Sequence, residues 1–340
     1  MNRSLVSLWL FCLISLLATS PVTAVTIATV PVGSAGNAPD SRVMNDGTSG
    51  YGAVAYNYRI GTYDVTNAQY VEFLNAKASA ADPYGLWNSN MDPSNFEGVI
   101  SRSGSGPYSY SVKPGFANKP VTYVGWHDAV RFVNWLTNGQ GNGDTETGTY
   151  LITGGGNNSG TVLVPDATQR ALWATTTSFH WLLPSENEWY KAAYYNPANG
   201  TYFAYPFQNN QFPATLVPPG SSNAGNFNNV AYNYDGNGSF LTDVGAYPNA
   251  VSPFGSFDMG GDVFQWNDTA IGSSHGFRGG DFNDSSEISA ASFRYSFNPL
   301  IITINGGFRV ASIPEPSAGA LAVFACGLLW WKRKSFRRVA

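Results

Sequence analysis

The chain has 340 residues, of which 12% are charged and 15% aromatic, and its formal net charge is −4. A balance this close to neutral, with no basic cluster in the body of the chain, excludes nucleic acid or an anionic membrane surface as the partner of the main domain. The two cysteines, Cys12 and Cys326, sit at opposite ends, which leaves the body without a disulfide, a thiol nucleophile or a metal–thiolate site.

In chain order, residues 1–24 read as a secretory signal peptide. Arg3 gives the positive start, Leu5 to Leu17 the apolar run, and Val22-Thr23-Ala24 a small-residue cleavage site. Bulky Phe11 ahead of Cys12 argues against a lipoprotein site. Residues 25–312 are long enough for one large domain. Within it, Thr66-Asn67-Ala68-Gln69 is a capping-box pattern followed by Tyr70, Phe73 and Leu74 at helical spacing. The run Val121 to Val124 suits a strand. Trp126 to Leu136 then puts Ala129, Phe132, Val133 and Leu136 on one helical face, with Asp128 in the first turn. Residues 137–160 are Gly- and Asn-rich loop. Ser185-Glu186-Asn187-Glu188 is a second capping box, and its helix points Trp189, Ala192 and Ala193 inward. Glu186 and Glu188 fall where acids favour a helix start. Residues 196–240 read as another long loop, and loops of this length need a fastener or a function. Phe308 to Ala311 suits a closing strand.

Residues 313–340 form a second address. Pro314-Glu315-Pro316 precedes an apolar segment at 318–331, marginal in length for a span, and then Lys332, Arg333, Lys334, Arg337 and Arg338. The basic cluster favours a cytoplasmic end, with everything upstream outside. This order resembles the PEP-CTERM sorting signal. The resemblance implies an exosortase-type protease as partner, and delivery to the cell envelope, cell surface or extracellular matrix of a Gram-negative-type bacterium. Contact with the membrane is then expected through this segment alone.

The body resembles the formylglycine-generating enzyme (sulfatase-modifying factor) family. The segments carrying the resemblance are Tyr58 to Phe73, Pro120 to Leu136, Trp181 to Tyr190, Val244 to Asn249, Phe254 to Trp266, Gly276 to Phe282 and Gly307 to Val310, in the family's order. The resemblance implies an irregular, loop-rich α+β fold, a variant of the C-type lectin fold. Catalytic members hold copper with two cysteines downstream of the Arg-Gly-Gly motif, here Arg278-Gly279-Gly280. Those positions map to Asp284 and Ser289, which lack the soft sulfur copper(I) selects, so no copper and no formylglycine chemistry are expected. Two cleft positions also differ, with Phe264 and Asp281 where the family has an indole and a serine.

The family's calcium sites map to Asn223, the Ala224 carbonyl, Asn237 and the Ser239 carbonyl, with Asp235 as a competing acid. The second set is Asp258, the Gly261 and Val263 carbonyls, and Gln265. Mixed oxygen ligands of this kind suit a structural calcium ion, weakened by the lost carboxylates. A relative's iron site needs clustered histidines, whereas His127, His180 and His275 are scattered and read as surface or capping residues. A complete family scaffold without its thiol pair, addressed to an exopolysaccharide compartment, implies a non-catalytic module whose cleft, with Phe264, Asp281 and Asp284, binds exopolysaccharide or another surface protein. Two alternatives stand beside it: an enzyme with non-thiol chemistry around the two aspartates, and a structural matrix component.

Overall fold

The computed structural model describes residues 24–313. Most of the signal peptide, the Pro314-Glu315-Pro316 motif and the apolar 318–331 segment lie outside the described residues. No helix among the described residues is long and apolar enough to cross a membrane.

Two four-stranded sheets frame the molecule. The first runs β1 (Thr29–Val32), β2 (Tyr58–Gly61), β8 (Ala311–Ile313) and β3 (His180–Leu182), antiparallel throughout. The second is built on a hairpin of β4 (Phe264–Ile271) and β5 (Ser274–Arg278). Strand β6 (Tyr295–Phe297) pairs antiparallel with β5, and β7 (Gly306–Phe308) pairs parallel with β4. Only Arg309 and Val310 separate β7 from β8, so the Phe308–Ala311 run is two strand ends rather than one strand. The chain crosses there from one sheet to the other. Val121 to Val124 is no strand either: Tyr123 has φ +58° and turns the chain into the following helix.

Four helices fill the rest: α1 (Asn67–Lys77), α2 (Trp126–Thr137), α3 (Ala167–Trp173) and α4 (Glu186–Tyr194). Both predicted capping boxes are present, Thr66 with Gln69 and Ser185 with Glu188. Helices α1 and α2 pack through aromatic rings, with Phe73 5.4 Å from Phe132 and 5.2 Å from Trp135 between centroids. Phe132 continues the contact to Phe308 of β7 at 5.3 Å. Such edge-to-face pairs contribute beyond their buried area.

Helix α2 is buried on every side from Trp126 to Leu136, because residues 137–160 wrap over it. Its polar residues fasten that wrap. Asn134 donates to the Thr145 and Tyr150 carbonyls and accepts from the Tyr150 amide, all at 2.9 Å. Arg131 pairs with Glu146 at 2.7 Å and reaches the Ser159 carbonyl at 3.0 Å. His127, expected at the surface, is 4% exposed and lies 3.1 Å from the Gly160 carbonyl. His275 stacks on Trp126 at 3.6 Å, and burial lowers its pKa to about 4. His180 stacks on Trp173 at 4.0 Å. All three are packing residues.

Charged groups are used inside the molecule. Arg170 pairs with Glu188 at 2.6 Å and with Asp268, whose other neighbours include the Tyr150 hydroxyl at 2.7 Å. Arg309 donates to Gln265 Oε1 at 2.7 Å and to the carbonyls of Gly61, Phe257 and Asp258 at 2.9 to 3.0 Å. The two-residue crossover between the sheets is thus pinned by a fully buried guanidinium.

Candidate functional site

The site begins at the end of β5. Arg278 donates from Nε to Glu186 Oε1 at 2.7 Å, and from Nη1 to the Ala291 carbonyl at 3.2 Å and the Phe293 carbonyl. One buried side chain therefore fixes the end of β5, the start of α4 and the segment leading into β6. Past Arg278, Gly279 and Gly280 have φ +101° and +76°, a region a side chain rarely adopts. The double turn brings Asp281 to the rim of a cavity of about 360 Å³.

Phe264, Asp281 and Asp284, the cleft residues expected from the sequence, all line that cavity. So do aromatic residues the sequence reading did not single out: Phe277, Phe293, Tyr295 and Phe297. Their rings form a continuous wall. Phe264 stacks on Phe277 at 4.8 Å, and Phe277 on Phe297 at 5.5 Å. Tyr295 lies 5.7 Å from Phe264 and is 41% exposed at the mouth. The alternation in Phe293-Arg294-Tyr295-Ser296-Phe297 was the available signal, since a period of two puts the three rings on one side of a strand. Asn305 and Thr303, which complete the lining, lie in a segment with no comparable pattern.

The two carboxylates differ. Asp281 is 1% exposed. Its Oδ1 accepts the amides of Asn283 at 2.7 Å and Asp284 at 3.1 Å, and its Oδ2 accepts the Asn305 side chain. Asp284 accepts a single 3.3 Å bond from the Asp281 amide. Burial, and then the charge of Asp281 beside it, push the Asp284 pKa up to about 6. Burial also raises Asp281. Asp281 is therefore committed to shaping its loop, while Asp284 retains acceptor capacity toward the cavity.

The other cysteine-equivalent position behaves differently. Ser289 is fully buried, donates to the Ser286 carbonyl at 2.7 Å, and is not among the residues lining the cavity. Neither position offers sulfur, and no group of three or more His, Cys, Asp or Glu among the described residues could hold a metal ion.

Most of the residues mapped to the calcium sets are engaged within the chain. In the first, Asn223 turns its amide to the Gln211 and Phe212 carbonyls, whereas Asn237 faces the Gly115 carbonyl. The Ser239 carbonyl accepts the Asn233 amide at 2.8 Å, and in a short parallel ribbon with Ala214–Thr215 the Asn223 carbonyl accepts the Ala214 amide at 2.7 Å. The cation in the Asp235–Asp243 loop is the Lys119 ammonium, 2.6 Å from Asp235 and 2.7 Å from the Leu241 carbonyl. In the second set, Gln265 Oε1 is taken by Trp189 and Arg309, each at 2.7 Å, and its Nε2 donates to the Asp258 carbonyl. The Asp258 carboxylate accepts the Gly245 amide at 2.7 Å, and the Gly261 carbonyl accepts the Val263 amide at 2.9 Å. The Val263 carbonyl remains as one ligand without its partners. A calcium ion needs six to eight oxygens turned toward it; in the second set a guanidinium and an indole N–H face Gln265 Oε1 instead, while in the first the buried Asn223 Oδ1 has no partner among the described residues.

A second cavity of about 470 Å³ is lined by Tyr56, Pro165, Arg170, Asp268 and neighbours. Arg170 and Asp268 are bound to one another, Arg170 also to Glu188 and Asp268 to the Tyr150 hydroxyl, while Asp166 caps α3. They offer little to a ligand.

Comparison with known proteins agrees with this geometry. Treponema denticola variable protein 1 is similar over 86% of this chain and 97% of its own, at 17% identity with a TM-score of 0.52. CarF is similar over 85% of this chain and 99% of its own, at 18% identity with a TM-score of 0.53. At such identities the likeness establishes the fold: an α+β, loop-rich architecture of the formylglycine-generating-enzyme and C-type-lectin-like kind. No curated protein matches the chain. The family model described as the sulfatase-modifying factor enzyme 1-like domain matches residues 20–313, and the chain belongs to that family.

Proposed function

We propose that this is a non-catalytic binding module of an exported, surface-associated protein, and that its ligand is a glycan held in the cleft between Phe264, Tyr295 and Asp284. The observation that carries this reading is the cavity itself: an aromatic wall beside one carboxylate with unused acceptor capacity and several amide groups, in a body without a thiol. Sugars present apolar ring faces and hydroxyl edges, which such a wall and such acceptors match. Export is supported by the N-terminal apolar run, and retention at the envelope by Pro314-Glu315-Pro316 with the basic tail. The partners that follow are a sorting protease acting near that motif and an exopolysaccharide, with no nucleic acid.

Glycan-array screening of the purified protein tests the reading. Binding that disappears in Tyr295→Ala is the expected result; a folded protein that binds no glycan contradicts it.

A second reading, hydrolysis with Asp284 as general acid, has its raised pKa in favour. It lacks a second free carboxylate, because Asp281 is occupied on both oxygens. Turnover of any bound glycan that Asp284→Asn abolishes is the result that would establish it.

A further inference from the structure

We propose that the cleft selects sugar rings carrying a free primary ammonium, as in a deacetylated, cationic amino-sugar polymer. The inference rests on the binding reading above and adds the chemical class of the ligand.

Charge carries the argument. Two carboxylates, Asp281 and Asp284, border the cavity, and no lysine, arginine or histidine is among its lining residues. The nearby cations are engaged elsewhere. Arg278, behind the wall, is bound to Glu186 and to two carbonyls. Arg294 pairs with Asp46 at 2.8 Å and lies over the Tyr51 ring at 4.9 Å. Asp281 is stabilised by neutral amides alone. Asp284 has one long bond to an amide, and no cation among the cavity's lining residues neutralises the mutual repulsion of the pair. A ligand ammonium supplies the missing charge.

The wall strengthens the preference. Phe264, Phe293, Tyr295 and Phe297 line the same cavity, and an aromatic face has a negative quadrupole that attracts a cation and disfavours an anion. An ammonium beside Asp284 gains a charge-assisted hydrogen bond in a partly desolvated cavity, and the carbon face of its ring lies against the same wall. An N-acetylated ring offers a neutral amide instead, and carboxylated sugars meet two like charges. At about 360 Å³ the cavity lies toward the small end of ligand pockets, typically ~300–1,000 Å³, which suits one or two sugar units and leaves a polymer free to run past the exposed Tyr295.

The test is calorimetric titration of the purified protein at about pH 6.5 with a β-1,4-linked glucosamine tetramer and with its fully N-acetylated counterpart. The free-amine tetramer is expected to bind at least about tenfold more tightly. Asp284→Asn, checked for native melting, should bring the two affinities together, and Tyr295→Ala should weaken both. Equal or tighter binding of the N-acetylated tetramer overturns the ammonium preference and leaves the glycan-binding reading standing. Binding of neither tetramer by a folded protein overturns both. A preference that survives Asp284→Asn also overturns the proposal, since the ammonium is then read elsewhere.

Discussion

Asp284 and Lys119 illustrate opposite uses of a charge. The Asp284 carboxyl is raised to about 6, above its ordinary value near 3.8. The folded state therefore holds its proton more tightly than the unfolded chain does. Stability from the protonated form is fully present below pH 3.8 and is lost as pH rises through about 6. Asp284→Asn should thus become more stabilising, relative to the parent, between pH 5 and pH 8. The gain should be on the order of 1 kcal/mol or less, because the side chain is partly solvated. Paired thermal melts at the two pH values check the sign; a variant advantage that shrinks with rising pH contradicts it. Lys119 is the reverse case, a fully buried ammonium whose partners are Asp235 and the Leu241 carbonyl. Lys119→Met should cost about 1–3 kcal/mol, the range for leaving a buried acceptor such as the Leu241 carbonyl unpaired, since Asp235 is itself partly solvated, and denaturant titration measures it. The sequence placed Asp281 and Asp284 together through the Arg-Gly-Gly motif, and both line one cavity. It could not show which aspartate is free, because that depends on Asn305, a residue 21 positions beyond Asp284 in the chain.

At the scale of elements, local chemistry was the most legible part. The Thr66 and Ser185 caps are decided by residues three apart, so pattern and structure coincide. Thr66→Ala should lower stability by about 1 kcal/mol, readable as a shift of the denaturation midpoint. Short strands were less legible. Val121 to Val124 has a strand's composition, yet the left-handed Tyr123 redirects it into α2. The strand β6 hid inside an irregular stretch, although its alternating rings make the cleft wall. Because Tyr295 is 41% exposed, Tyr295→Ala should leave stability within about 1 kcal/mol while weakening glycan binding at least about tenfold. Loss of both together would mean that the ring is structural. The histidines show the limit of periodicity. His127 is off the apolar stripe of α2, but the stripe says nothing about the 137–160 wrap that buries the opposite side.

The molecule as a whole has long loops, few charges and no disulfide in its body. It closes those loops with internal ion pairs and amide staples: Arg131 and Asn134 on the 137–160 wrap, Lys119 on the 233–243 turn, Arg309 at the sheet crossover. We propose that the chain's own cations, rather than calcium, fasten these loops. Melting temperature should accordingly be the same in millimolar calcium and in chelator, whereas an ion bound only to the folded state would raise it. An increase of several degrees with calcium would refute that arrangement. Asp281 and Asp284 face the cleft with no cation among its lining residues.

The central claim is that this cleft is the binding site. Its most direct test is hydrogen–deuterium exchange of the protein with and without a saturating glucosamine oligomer. Slowed exchange is expected in residues 281–297 and around Phe264 and Asn305, with the larger cavity near Arg170 and Asp268 unchanged. Protection confined to that larger cavity, or absent from the cleft despite binding, would contradict it.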